Sequence, residues 1–201
     1  MNINENLSKN AIIVASGPSA KGFEPPDGVT IIAVNGAIDW LSRADYFFTL
    51  DLSPDNRKRL KKRRAGVTYC VAGYLVSNAL CFERVSLRHF SEPEKKNTPQ
   101  WWEWRLQAVR TLSTDASKIH SGNSAWGALG LAYHLGITNA ALIGVDASDE
   151  PRIDGGKSGN LMHLPMLFSS ALPQINVVSL GKLNSIPQMS IEEWISKVNI
   201  N

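Results

Sequence analysis

The stretch AIIVASGPS, residues 11–19, decides the fold. Its first five residues, Ala11–Ala15, are all apolar with no polar alternation, which predicts a strand buried on both faces. The strand ends in a small polar turn, Ser16-Gly17-Pro18-Ser19. Such a turn either only redirects the chain or exposes backbone N–H groups to an anion, and these residues alone leave both interpretations open.

Further apolar runs of the same kind follow, separated by helical patterns. The predicted strands are 11–15, 29–36, 45–51, 66–73, 139–146 and 175–181, and the clearest helices are 53–64, 121–137 and 190–198. Continuous apolar strands alternating with helices predict a single α/β domain with a mostly parallel sheet and helices on both faces. Residues 80–115 lack a clear pattern and are interpreted as an irregular, lid-like insertion, although CFERVSLRHF, residues 81–90, is also compatible with a strand.

Bulk composition is that of a globular protein. The 201 residues are 43% hydrophobic and 19% charged, with a net charge of +3, which suits an anionic small ligand without requiring nucleic acid. The polar N-terminus MNINENLSKN does not look like a signal peptide, and no apolar run approaches the length of a membrane span. Cys70 and Cys81 are interpreted as reduced core residues. A cytoplasmic protein is therefore expected.

One charged segment needs a separate interpretation. The run RKRLKKRR, Arg57–Arg64, carries seven cations in eight residues. No aromatic residue is interleaved with it, which weakens a role in single-strand binding. We interpret it as a solvated helix face and do not expect a nucleic-acid partner.

Polar residues follow several of the predicted strands. The turn at 16–19, the pair Asn35-Gly36 and the segment starting at Asp51 are all at strand ends, and Ser121-Gly122-Asn123-Ser124 begins a predicted helix. Parallel sheets bind ligands at the carboxyl ends of their strands, and free N–H groups at a helix start favour phosphate. If the four segments converge, they predict a nucleotide site; each alone is equally well explained by turn formation or helix capping.

Three stretches carry a resemblance to known proteins. IIVASGPSAKGFE, VTIIAVNGA and KIHSGNSAWGALGLAYHLGITNAALIGVDAS resemble a Rossmann-like group that includes bacterial sialyltransferases of the Campylobacter lipooligosaccharide type and the archaeal 6-hydroxymethylpterin pyrophosphokinase-like family. The resemblance implies a nucleotide-dependent transferase, most like a CMP-sugar glycosyltransferase. It covers about half of the chain.

The resemblance also implies which residues contact the ligand. Asn35 would reach the ribose or base, Lys118 takes the place of an Arg in those enzymes, and Asp146 orders the loop after its strand. The strand-end pattern and the resemblance together predict these nucleotide-binding residues: Ser16, Gly17, Pro18, Ser19, Asn35, Gly36, Asp51, Lys118, Ser121, Gly122, Asn123, Ser124 and Asp146.

Catalysis of this type needs a general base, and the resemblance places a histidine after the strand that ends at Asp146. His163 is the histidine in that segment, and a neutral imidazole has the right basicity to take a proton from a sugar hydroxyl. Its neighbours Met162 and Leu164 equally suit a buried structural histidine. His120, directly before the predicted phosphate turn, is the second candidate.

Two other functions stay open. A pyrophosphokinase-like enzyme would use ATP and Mg²⁺, with Asp51, Asp146 and Asp154 as the carboxylates that matter; a sialyltransferase-like enzyme would need no cofactor and no metal. The resembled sialyltransferases carry two tyrosines in the loop after Asp146, and residues 147–160 contain none. That departure favours a non-catalytic protein that binds or sequesters a nucleotide. Homo-oligomerisation is left open.

Overall fold

A computed structural model describes residues 8–88, 91–156 and 161–198. The strands are β1 Asn10–Val14, β2 Thr30–Val34, β3 Tyr46–Thr49, β4 Thr68–Ala72, β5 Leu80–Val85, β6 Lys118–His120, β7 Asn139–Ile143 and β8 Asn176–Ser179. The helices are α1 Ala37–Trp40, α2 Pro54–Lys61, α3 Pro99–Leu106, α4 Ser124–His134, α5 Leu164–Ser169 and α6 Ile191–Lys197, with a 3₁₀ turn at Pro18–Ala20.

The eight strands of the described residues form one sheet, and every neighbouring pair is parallel. The strand order is β6-β5-β4-β3-β2-β1-β7-β8. The chain therefore builds outward from β1 to β6 on one side, then crosses back to add β7 and β8 on the other side of β1. This confirms the α/β prediction and places the reversal of strand order between β1 and β7.

Both faces of the sheet are covered by helices, as the uninterrupted apolar strands predict. Along β1, Ala11 and Ile13 pack into one core with α4 and α5, and Ile12 and Val14 pack into a second core with α1, α2 and α6. A strand that is buried on both faces has no position for a polar residue, which explains the absence of alternation in AIIVA.

The structure corrects the interpretation of residues 80–115. Leu80–Val85 is a regular strand of the sheet that pairs with β4 and β6, so the less regular segment begins only after it. Its pattern is weak because β5 lies near the edge of the sheet and is only partly buried. Cys81 on this strand is exposed, contrary to the predicted core position, whereas Cys70 is buried.

Helix boundaries follow the capping residues. Helix α6 begins after a capping box formed by Ser190 and Glu193, and α2 begins after Ser53, whose hydroxyl accepts the N–H of Asn56. Helix α2 stops at Lys61, and the last arginine of the basic run, Arg64, donates to backbone carbonyls around the end of α1. Within the described ranges, no helix is long and apolar enough to cross a membrane.

Helix α4 lies across the centre of one face, where its small residues allow close approach to β1, β2, β3 and β6. An added Cβ at Gly127 would lie 2.5 Å from Phe48 Cε1, and Phe48 is fully buried. An added Cβ at Gly130 would lie 3.3 Å from the terminal methyl Cδ1 of Ile119. Gly127 therefore packs against a rigid aromatic ring, whereas Gly130 packs against the end of a flexible side chain.

We expect Gly127→Ala to destabilise the protein by about 1–3 kcal/mol because the buried phenyl ring has no free space to move into. Gly130→Ala should stay within about 1 kcal/mol of the wild type, because the gain in helix propensity offsets a small shift of a methyl group. Urea unfolding of both variants measures the difference. Equal stability of the two variants would contradict this packing of α4 against β3.

Candidate functional site

A cleft of about 470 Å³ opens at the carboxyl ends of the strands. Its walls come from the segments that follow β1, β2, β3, β4, β6 and β7, together with Arg84 of β5. The cleft thus includes the point between β1 and β7 where the strand order reverses, the usual ligand position in open parallel sheets. The four predicted segments converge here.

Most of the predicted nucleotide-binding residues line this cleft. Those that do are Ser16, Gly17, Pro18, Asn35, Gly36, Asp51, Gly122, Asn123, Ser124 and Asp146. The structure does not bring Ser19, Lys118, Ser121, His120 or His163 to the lining. The residues that line the cleft lie in the turns that follow strands. Most of the residues that do not line it lie within the elements that support those turns, or beneath them.

The turn after β1 is fixed to the end of β7 by backbone contacts and one carboxylate. Gly17 N donates to the carbonyl of Gly144 at 2.8 Å, and a Cβ on Gly17 would lie 2.5 Å from both that oxygen and Asp146 Oδ2. Asp146 accepts the N–H of Ser19 at 2.9 Å and that of Lys182 at 3.0 Å. Asp146 therefore holds three chain segments together, and Ser19 serves this turn.

The ends of β2 and β3 are joined by Asn56 of α2. Asn35 lies in the left-handed region, with φ of 52°, and its side-chain Oδ1 accepts from Asn56 Nδ2 at 3.1 Å. The same amide group donates to the backbone carbonyl of Asp51 at 2.9 Å. Because Asn56 is itself buried, it fixes the positions of both strand ends at the cleft.

Helix α4 presents its N-terminus to the cleft. The helix begins at Ser124, three residues later than predicted, because Asn123 is extended and caps it by accepting the N–H of Trp126 at 2.8 Å. In the described part of the chain, the N–H groups of Ser124 and Ala125 have no acceptor. These are free donors at the positive end of the helix dipole.

Ser121, predicted to touch the ligand directly, lies beneath this surface instead. It is fully buried, and its Oγ donates to the carbonyl of Leu106 at 2.7 Å. The same oxygen accepts two hydrogen bonds from Arg84, one from Nε at 3.0 Å and one from Nη2 at 2.7 Å. Ser121 therefore positions Arg84, which does line the cleft.

Ser16 is the one buried cleft hydroxyl left without a partner among the described residues. Its side chain is about nine-tenths buried, its Oγ has no hydrogen-bond partner there, and it lines the cleft. A buried hydroxyl without a partner is costly, so such a group at the wall of a cleft points to a ligand atom as its partner.

Sequence reasoning missed five polar side chains of the cleft: Tyr74, Arg84, Ser148, Glu150 and Arg152. Arg84 lies on β5, which the sequence suggested only as a possible strand within the predicted lid. Tyr74 follows β4, and the other three lie in the Gly-rich loop after β7. The resemblance places tyrosines in that loop; here a tyrosine reaches the cleft from the end of another strand. A firm assignment of β5 and attention to the residue after β4 would have found Arg84 and Tyr74.

His163 is completely buried beside the cleft rather than in it. Within the described residues both ring nitrogens lack a hydrogen-bond partner, and the ring stacks on Trp102 with centroids 6.5 Å apart. Burial lowers the pKa of His163 to about 4, an effect that the nearby Glu103 opposes. Its neighbours Leu161 and Leu164 line the cleft.

The other predicted residues of the β6 region, Lys118 and His120, do not line the cleft. His120 Nδ1 lies 2.6 Å from the carbonyl oxygen of Thr111. Lys118 pairs with Asp115 at 3.0 Å, and hydrogen bonding to that carboxylate raises the lysine pKa. Both side chains thus have local partners at the edge of the sheet.

The carboxylates proposed for magnesium are divided between two places. Asp51 and Asp146 line the cleft, whereas Asp154 abuts the backbone of Gly36, where an added Cβ would lie 2.7 Å from its Oδ2. In residues 8–88, 91–156 and 161–198, no group of three or more His, Cys, Asp or Glu side chains has the spacing to hold a metal ion.

No protein-family model matches the chain, and no curated protein matches it. The resemblance to sialyltransferases and to pterin pyrophosphokinase-like proteins therefore stays a prediction carried by the three sequence stretches quoted above.

The buried His163 has a consequence for pH dependence. Its folded-state pKa of about 4 lies below the ordinary value of 6.5, so the unfolded chain takes up the proton first. Stability from this group is complete above pH about 6.5 and falls as pH drops toward 4, by roughly 3 kcal/mol in total. We expect His163→Leu to lose this share of the pH dependence.

Urea unfolding of the wild type and of His163→Leu at pH 7.5, about 5.5 and about 4.5 measures this effect. The stability difference between the two proteins should move in favour of the variant as pH falls. A constant difference across this range would contradict a neutral, desolvated imidazole at position 163.

Proposed function

We propose that this protein binds a nucleotide or nucleotide-sugar in the cleft at the ends of β1–β7 and acts as a nucleotide-dependent transferase of the sialyltransferase type. The observation that carries the proposal is convergence. Residues 16–18, the Asn35-Gly36 pair and the start of α4 are distant in sequence and line one cleft.

The chemistry of the lining supports a phosphorylated ligand. The cleft contains the free N–H groups at the start of α4, the unpartnered hydroxyl of Ser16 and the cation of Arg84. Anions are favoured at helix N-termini, and hydrogen bonds to charged groups are stronger than neutral ones. A volume of about 470 Å³ is within the range of pockets that hold small ligands.

The carboxylates of the cleft are largely engaged by the protein, which lowers their repulsion of a phosphate. Asp146 accepts two backbone N–H groups, Asp51 accepts the N–H of Ser53 at 2.9 Å, and Glu150 forms an ion pair with Lys182. Hydrogen bonding and ion pairing spread and offset the negative charge of these groups.

A second candidate function is a protein that binds a nucleotide without turning it over. One observation favours it: the described residues place no histidine at the cleft, and the predicted base His163 is completely buried. A transferase with this cleft would need Asp51 or another cleft group to take the acceptor proton. Release of CMP from CMP-sialic acid distinguishes the two functions.

We expect CMP or CDP to raise the thermal unfolding temperature more than ATP with Mg²⁺ does. A ligand at about 100 times its dissociation constant adds roughly 2.7 kcal/mol of stability. The larger shift with ATP and Mg²⁺ would instead support the pyrophosphokinase-like alternative, and no shift with any nucleotide would contradict the proposal.

Ser16→Ala tests the cleft itself, with Ser185→Ala as the matched control. Both hydroxyls are buried and unpartnered within the described residues, but only Ser16 lines the cleft. Loss of an unpartnered hydroxyl should stabilise either free protein by up to about 1 kcal/mol, and Ser16→Ala alone should weaken nucleotide binding, by about tenfold. Calorimetric titration gives both affinities; equal affinities would refute a ligand contact at Ser16.

A further inference from the structure

We propose that Arg84 is the phosphate-binding cation of this cleft and that Ser121 and Gly73 hold its guanidinium in place for that purpose. The proposal rests on the proposed function, which it deepens by stating where the phosphate of the nucleotide lies. It assigns the phosphate to the β5 side of the cleft, next to the start of α4.

Within the residues that the structure describes, the charge of Arg84 is not neutralised. Three other arginines pair with carboxylates: Arg43 with Asp45, Arg59 with Asp39, and Arg110 with Glu103. For Arg84, no carboxylate lies within ion-pair distance in the described part of the chain.

An arginine keeps its charge at all ordinary pH values, so this half-buried guanidinium stays cationic. Partial burial removes water from the charge, and among the described residues only the neutral hydroxyl of Ser121 replaces it as a hydrogen-bond partner. An anion in the cleft would complete the environment of this charge.

Ser121 fixes one edge of the guanidinium. Its Oγ is committed as a donor to Leu106, so its lone pairs face Nε and Nη2 of Arg84. Those two contacts use two of the five N–H groups of an arginine and leave Nη1 and the second Nη2 hydrogen for a ligand. A planar group with adjacent free donors suits a phosphate, which accepts two parallel hydrogen bonds.

Gly73 makes room for the stem of the side chain. It has φ of 85°, and an added Cβ would lie 3.0 Å from Arg84 Cβ and 3.2 Å from Arg84 Cδ. The stem therefore packs against bare backbone at the end of β4. Because Gly73 has no Cβ, the stem of Arg84 can lie directly against the backbone, with the guanidinium directed toward Ser121 and the cleft.

The position of Arg84 is linked through Ser121 to the free N–H donors at the start of α4. Ser121 lies three residues before Ser124, the first residue of α4, so the guanidinium is anchored to the segment that leads into the free N–H groups. Arg152 also lines the cleft and has no carboxylate partner within the described residues, but its side chain is exposed on a loop. Of these two arginines, Arg84 on β5 is therefore the one whose orientation the protein fixes.

The test compares ligands with and without a phosphate. Calorimetric titrations with CMP, cytidine and inorganic pyrophosphate are run on the wild type, on Arg84→Gln and on the control Arg88→Gln, an exposed arginine outside the cleft. We expect Arg84→Gln to weaken CMP and pyrophosphate binding by about tenfold or more and cytidine binding by less than about twofold. Arg88→Gln should match the wild type.

The outcomes separate this proposal from the proposed function. CMP affinity unchanged in Arg84→Gln, or an equal loss of CMP and cytidine, overturns the role of Arg84 while nucleotide binding stands. If the wild type binds no nucleotide, the proposed function fails and pyrophosphate decides: a loss confined to Arg84→Gln supports the phosphate site, and no such loss overturns it.

A second variant covers a failure of Arg84→Gln to fold, which circular dichroism detects. Ser121→Ala keeps the charge but removes the oxygen that orients it. We expect weaker CMP binding with cytidine binding unchanged, since Ser121 positions the cation without touching the ligand. Wild-type CMP affinity in Ser121→Ala would overturn the positioning of Arg84 by this hydroxyl.

Discussion

The carboxylate of Asp146 is the contact on which the cleft depends. It accepts the N–H of Ser19 after β1 and the N–H of Lys182 after β8, and it stands at the end of β7. These strands lie side by side at the reversal of strand order, where connections leave the sheet in opposite directions and a gap opens. Asp146 holds the edges of that gap at a set separation.

The parallel sheet explains how so many short segments reach one place. Every strand points the same way, so each turn after a strand arrives at the same edge, and each contributes one or two groups. Buried supports then fix those groups: Asn56 holds the ends of β2 and β3, and Ser121 holds Arg84. The result is a cleft whose free groups are donors and cations, and whose carboxylates already accept hydrogen bonds or pair with a cation.

Sequence predicted the features that repeat along the chain. The apolar runs gave the parallel α/β architecture, and the small residues after them gave ten lining residues, from Ser16 to Asp146. Contacts between segments that are distant in sequence leave no repeating pattern from which they could be predicted. Ser121 looked like a ligand residue because it precedes a helix, but its burial under Arg84 depends on β5, a half-buried strand with a weak pattern. For His163 the sequence left a general base and a buried structural residue both open, and tertiary packing beside Trp102 shows the burial.

Backbone amide NMR of the ¹⁵N-labelled protein during titration with CMP tests the central claim most directly. The account predicts that the amides of Gly17 and of Ser124 and Ala125 shift together along one saturation curve, because one ligand touches segments more than 100 residues apart in the chain. Shifts confined to one of these segments, or saturation at different concentrations, would contradict a single nucleotide site at this edge of the sheet.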